Sequence, residues 1–264
     1  MKKIISAYLI LFSIVFLSGC GTSKGGGFNL FSVEQDKQLG AQVAQEIESN
    51  PTEYPILDSA RYATAYRFLY DIRDRILNSQ AIDFKDEFAW RLRIIEDDKT
   101  LNAFCTPGGY IYVYTGLIKF LDGEDELAGV LAHEIGHADL RHSTRQMTKV
   151  YGVQVLLDLI AGDRELLKDI TTSLINLKFS RTHETEADGA SVKYLCETEY
   201  AASSAAKFFE KVEASGAASP PEWLSTHPSH DKRIENFYTT AGGMSCSGNN
   251  AAKERYQQLK NALP

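Results

Sequence analysis

An α+β fold, mostly helical with one small mixed sheet, is what this chain of 264 residues predicts. Strand-like alternation occurs in a single stretch, between Phe88 and Tyr114. Apolar residues at helical spacing fill the chain on both sides of it. A sheet grouped in one place, with helices before and after, argues for α+β.

The elements follow in order. Val33, Leu39, Val43 and Ile47 recur with helical period, so residues 33–48 read as a helix. Pro51 and Pro55 bracket a loop. A second amphipathic helix spans 59–77, with Tyr62, Tyr66, Leu69, Ile72 and Ile76 along one core-facing side. Phe88, Trp90, Leu92 and Ile94 alternate against charged neighbours, the period of a strand over 88–95. Leu101 to Phe104 leads into the turn Pro107-Gly108-Gly109, and Tyr110–Tyr114 is rich in aromatic and β-branched residues, as strands are. The remainder reads as helices at 116–121, 124–141, 144–161, 164–178, 181–196, 201–215, 229–240 and 250–262.

Composition is that of a globular chain, 44% hydrophobic and 24% charged. A net charge of -7 argues against a nucleic-acid partner, which favours a basic surface. Lys2 and Lys3 precede an apolar run from Ile4 to Leu17, interrupted only by Ser6 and Ser13. That run is short for a membrane span and fits a signal-peptide core, with an uncleaved signal anchor as the alternative. Leu17-Ser18-Gly19-Cys20 resembles the lipobox of bacterial lipoproteins. The resemblance implies a leader at 1–19, acyl chains such as palmitate on Cys20, and a Gly-rich tether to residue 32. The folded domain would then be 33–264. Gly21 stands where aspartate retains many lipoproteins in the inner membrane, so the expectation is the periplasmic face of the outer membrane. In that oxidising compartment one disulfide is expected, with Cys196–Cys246 the chosen pair and Cys105 left over. No C-x-x-C pair suggests a cysteine zinc cage.

The chemistry is concentrated in His133-Glu134-Ile135-Gly136-His137. Residues four apart share a helix face, so His133 and His137 can grip one zinc ion. Glu134 is placed to act as general base on water that the metal activates. The surrounding residues are apolar or small, and histidines buried among them need partners, which a metal supplies. A third ligand is required. The H-E-x-x-H-x-x-G-x-x-H form fails, because Leu140 and Ser143 occupy its last two positions. His142 falls on a different helical face and reads as a capping or packing residue. Glu184 and Asp188 share a face of a later helix while Glu186 lies on the opposite side. That suggests Glu184 as ligand and Asp188 as a carboxylate behind a ligand histidine.

These pieces together resemble the zinc metallopeptidases that include CAAX prenyl endopeptidases, the heat-shock peptidase HtpX and periplasmic lipoprotein peptidases of outer-membrane quality control. The resemblance covers about residues 33–240 and rests on Asn102-Ala103-Phe104, Pro107 through Leu117, the His133–His137 motif, Glu184-x-x-x-Asp188, and Thr226-His227-Pro228 with Arg233. It implies a zincin-like fold and one zinc on His133, His137 and Glu184, with Glu134 as base. It also implies that the strand following Pro107 borders the cleft, so that Gly108, Gly109, Tyr110 and Ile111 pair with an extended substrate. His227 would stabilise the oxyanion or cap the zinc as a removable ligand, and Arg233 would serve the same pocket. The expected function is an endopeptidase acting on misfolded or misassembled envelope polypeptides. The alternative is a chaperone or assembly factor for outer-membrane proteins that seldom cleaves them.

Overall fold

The computed structural model describes residues 27–160, 163–215, 221–228 and 232–264. The leader and Cys20 lie outside that range. Helix α1 (Val33–Glu48) starts at a reciprocal cap, in which Ser32 accepts from the Gln35 backbone and the Gln35 side chain accepts from Ser32 N–H. Helix α2 (Ala63–Leu77) begins four residues later than its apolar pattern suggests. There the Asp58 carboxylate accepts from Arg61 N–H at 2.6 Å, a local turn that competes with helix.

The strands are β1 (Arg91–Ile95), β2 (Ala103–Thr106) and β3 (Tyr110–Tyr114). β1 is shorter than predicted because Trp90 takes φ +43, and its indole N–H caps the carbonyls of Phe84 and Lys85. The sheet order is β1-β3-β2, with β3 parallel to β1 and antiparallel to β2. This corrects the expectation for the strand after Pro107, which is central and has no free edge. The outer strands are β1, whose outer side is met by residues 55–57, and β2. Gly108 and Gly109 instead make the β2–β3 turn, with φ +73 and +83 that only glycine adopts without strain.

Eleven helices are present among the described residues; those after the sheet are α3 (Thr115–Phe120), α4 (Glu124–Asp139), α5 (His142–Ile160), α6 (Arg164–Ile175), α7 (Arg181–Cys196), α8 (Ser204–Ser215), α9 (Glu222–Thr226), α10 (Arg233–Gly242) and α11 (Lys253–Asn261). Together with the small mixed sheet they make the predicted α+β architecture. The short α9 was not foreseen, since five residues cannot display a period. None of the described helices is long and apolar enough to cross a membrane.

Helix α4 is buried along all 16 of its residues, enclosed by α2, α7, α8 and β2. Its flat apolar profile therefore reflects a helix with no solvent face. Gly129 permits the contact with α8, because a Cβ there would lie 2.4 Å from Ala205 N. Gly129→Ala is expected to lower stability by about 1–3 kcal/mol through overpacking. Urea unfolding checks this, and an unchanged midpoint contradicts the contact. At the C-terminal end of α4, the Asp139 carboxylate accepts from Tyr194 O–H at 2.7 Å and Phe84 N–H at 2.8 Å, tying the helix to α7 and the loop before β1. A second apolar cluster, from α1, α5 and α6, covers Phe104 and Tyr112 of the sheet. Cys196 and Cys246 form the expected disulfide, joining the end of α7 to the loop after α10.

Candidate metal centre

Four buried side chains from two helices and the end of a third meet at one point. His133 and His137 come from α4, Glu184 from the first turn of α7, and His227 from the residue that ends α9. The Nε2 atoms of His133 and His137 are 3.0 Å apart, and His227 Nδ1 lies 3.3 Å from His133 Nε2. Glu184 oxygens lie 3.5 Å from each of the two α4 imidazoles and 3.2 Å from His227 Nδ1. Four donors held about 2.1 Å from a tetrahedral zinc ion are spaced by about 3.4 Å, so the set fits one such ion. Three imidazole nitrogens turned toward one another share too few protons to satisfy one another. A cation answers them all.

Charge makes the same point. Three carboxylates, Glu134, Glu184 and Asp188, are buried beside one fixed cation, Arg233, an excess of negative charge that suits a divalent ion. Burial acts to raise the Glu184 carboxyl, but the surrounding imidazoles, His227 first, hold it far below the usual carboxylate range. Burial acts to lower His133, yet Asp188 and Glu184 outweigh it and hold the imidazole at about 9. His137 has no such direct carboxylate behind it, and burial pushes it well below its ordinary value.

The supporting residues are equally ordered. Asp188 Oδ1 lies 2.9 Å from His133 Nδ1, the nitrogen facing away from the centre. Arg233 grips Asp188 with two bonds, Nε to Oδ2 at 2.7 Å and Nη2 to Oδ1 at 2.8 Å, and Nη2 also lies 2.8 Å from Glu184 Oε2. The Glu134 carboxylate accepts from Trp223 Nε1 at 2.8 Å and lies 3.4 Å from His227 Nε2. Trp223 stacks on His227 at 4.7 Å, and Phe179 stacks on His137 at 4.0 Å.

All seven residues singled out at this centre, His133, Glu134, His137, Glu184, Asp188, His227 and Arg233, are therefore together. Gly108, Gly109, Tyr110 and Ile111 are not at a free edge. Gly108 packs on Asp36 and Lys37 of α1, and Gly109 on Trp90. Cys105 is a free, buried thiol, pushed far above its ordinary pKa by burial and then by Glu134, which makes it a poor nucleophile. Trp223 and Phe179 were missed, although Trp223 sits four residues before His227 and so one turn away. His142 is not a ligand, but neither is it an ordinary packing residue: its Nδ1 lies 2.9 Å from His137 Nδ1.

Comparison with known proteins agrees with this geometry. The mitochondrial metalloendopeptidase OMA1 of Schizosaccharomyces pombe is 30% identical over 216 residues, 80% of this chain and 62% of that protein. Metalloprotease LoiP of Escherichia coli is 26% identical over 88% of this chain and 95% of its own length. The beta-barrel assembly-enhancing protease of the same organism is 26% identical over 86% of this chain and 47% of its own length. The chain thus spans less than two thirds of the mitochondrial relatives it matches, with shares of 62%, 30%, 34% and 47%. The profile of "Peptidase family M48" matches residues 69–241. That span runs from within α2 to the end of α10 and holds every donor of the centre, so the chain belongs to peptidase family M48.

Proposed function

We propose that this chain is a zinc-dependent endopeptidase whose ligands are His133, His137 and Glu184. The observation that carries the reading is the convergence of these donors in a buried, negatively charged centre with a separate carboxylate, Glu134, beside it. Zinc held there supplies a Lewis acid that acidifies water and polarises a peptide carbonyl. Glu134 takes the proton from the attacking water and returns it to the leaving amine. The Trp223 indole fixes which way that carboxylate points. Asp188, clamped by Arg233, holds the His133 ring and its tautomer.

An extended substrate is positioned by the outer edge of β2. Tyr114 N–H donates to Asn102 O, so residues 102 and 104 turn their backbone groups toward β3, while those of Ala103 and Cys105 point away from it. Pairing through backbone groups recognises an unfolded segment with little regard for side chains.

His227 restrains the site. Its ring lies between Glu134 and the other donors, 3.4 Å from the carboxylate and 3.3 Å from His133, the place that a water activated by bound zinc would take. Catalytic zinc needs an open position, which a fourth protein donor closes. His227→Ala is expected to raise basal cleavage of an unfolded protein several-fold and to weaken zinc binding. Unchanged turnover together with unchanged zinc affinity removes this role.

The setting is the cell envelope, with the chain held by acyl chains on Cys20 at the outer membrane and misfolded or misassembled envelope polypeptides as substrates. The lipobox-like Leu17–Cys20, the disulfide and the similarity to LoiP and the beta-barrel assembly-enhancing protease support this. Metal analysis of the protein starting after Cys20, with casein cleavage measured with and without a chelator, tests the reading. One zinc per chain and chelator-sensitive cleavage are expected; cleavage that survives complete zinc removal overturns it.

A further inference from the structure

The two α4 imidazoles are held from behind in different ways. His133 meets the Asp188 carboxylate directly, at 2.9 Å. His137 meets another imidazole. His142 Nδ1 lies 2.9 Å from His137 Nδ1, and His142 Nε2 lies 2.9 Å from Glu186 Oε2. Arg145 Nη1 donates to that same oxygen at 2.8 Å.

With a metal on His137 Nε2, as the zinc reading requires, the proton assignments along this chain follow from the contacts. His137 Nε2 faces the donor cluster, 3.0 Å from His133 Nε2, so it presents a lone pair to a metal. A neutral His137 then carries its proton on Nδ1 and donates it. His142 Nδ1 must accept, which places the proton of His142 on Nε2, facing a carboxylate that accepts it. No other tautomer pairing satisfies both contacts.

The backbone is shaped to make this contact. On an unbroken helix, His142 would point away from His137. Instead α4 ends at Asp139, and Arg141 takes φ +58, a left-handed conformation unfavourable for a residue with a Cβ. The turn is locked by the buried Arg141 guanidinium, which donates to Asp36 Oδ2 and to Phe31 O, both at 2.5 Å. It folds His142 back beneath His137, stacked face to face on His183 at 4.5 Å.

We propose that His142 is a positioning residue for the metal centre, relaying the hydrogen bond of His137 to the Glu186–Arg145 pair and so fixing the orientation and tautomer of that ligand. The relay does for His137 what Asp188 and Arg233 do for His133. It rests on the zinc reading given above and adds three residues to it.

Zinc affinity of the full chain, measured by competition with a chromophoric chelator, tests the relay. His142→Phe keeps a ring to stack but loses the acceptor, and is expected to weaken zinc binding by about 10- to 100-fold. His142→Asn places a carbonyl oxygen near the old Nδ1 position and is expected to recover most of that loss. Glu186→Gln, at a part-exposed site that tolerates the change, is expected to weaken binding by about tenfold. In the double variant His142→Phe with Glu186→Gln, the second change should add nothing, because the link is already cut. The relay is overturned if His142→Phe or Glu186→Gln binds zinc as tightly as the unaltered chain. Equal losses for His142→Phe and His142→Asn, or additive losses in the double variant, also overturn it in favour of simple packing. Should His142→Phe fail to fold, Glu186→Gln alone decides. An unaltered chain that binds no zinc fails the functional reading itself, and the relay with it.

Discussion

Glu134→Gln is expected to abolish measurable cleavage while leaving zinc bound and the fold intact. The amide is the same size as the carboxylate and can still accept from Trp223 Nε1, which holds the native side chain at 2.8 Å. It cannot take a proton from water. General-base catalysis is worth about 10²- to 10⁴-fold, and the loss should fall in or beyond that range. Glu134 does not belong to the group of donors that converge on the centre, so the metal count should stay at one per chain. The same variant decides between cleavage and binding as the principal activity. If Glu134→Gln corrects the defect of cells lacking this chain as well as the unaltered chain does, holding unfolded polypeptides is the main activity and hydrolysis is incidental. If it binds casein but fails in cells, hydrolysis is the function. Retained cleavage would remove Glu134 from the mechanism altogether.

What was legible in the sequence follows from which features are local. The i, i+4 pair on α4, the i, i+4 pair Glu184 and Asp188 on α7, and the helical periods were readable because a helix repeats within a few residues. Strand order is not local. Nothing in residues 103–114 states that β3 lies between β1 and β2, so the free edge was assigned to the wrong strand. His142 was misjudged for a related reason. Extending the α4 period through residue 142 turns its side chain away, and only the left-handed turn at Arg141, fixed by Asp36 more than one hundred positions earlier, brings it back. Helical spacing put Glu186 on the opposite side of α7 from Glu184, but did not say that it would meet His142 and Arg145. Trp223 sits on a helix of five residues, too short to show a pattern.

Arg233→Met should be the most destabilising single change at the centre. Arg233 is 2% exposed, and its one guanidinium serves both Asp188, through two bonds, and Glu184. Methionine fills much of the same volume without charge, so the loss is electrostatic. Removing one partner of a buried pair leaves the other uncompensated and costs about 3–5 kcal/mol. The pH dependence gives the sign. Burial acts to raise Asp188, but the His133 contact and Arg233 outweigh it and hold the carboxyl below its ordinary value. A carboxyl depressed on folding stabilises the protein above its unfolded pKa of about 3.9, and that contribution disappears as the pH falls through the folded value. Without Arg233 the carboxyl rises, so the variant loses most at neutral pH, where Asp188 must stay charged, and loses less once both proteins hold it protonated. Urea unfolding in the presence of a chelator should therefore show a large gap between the two proteins near neutrality that narrows as the pH falls through the variant's raised Asp188 value toward the depressed one of the unaltered chain. A gap independent of pH would mean that Arg233 acts through its packing on Phe209 and Trp223, over whose rings its guanidinium lies at 4.4 and 5.5 Å, and not through charge.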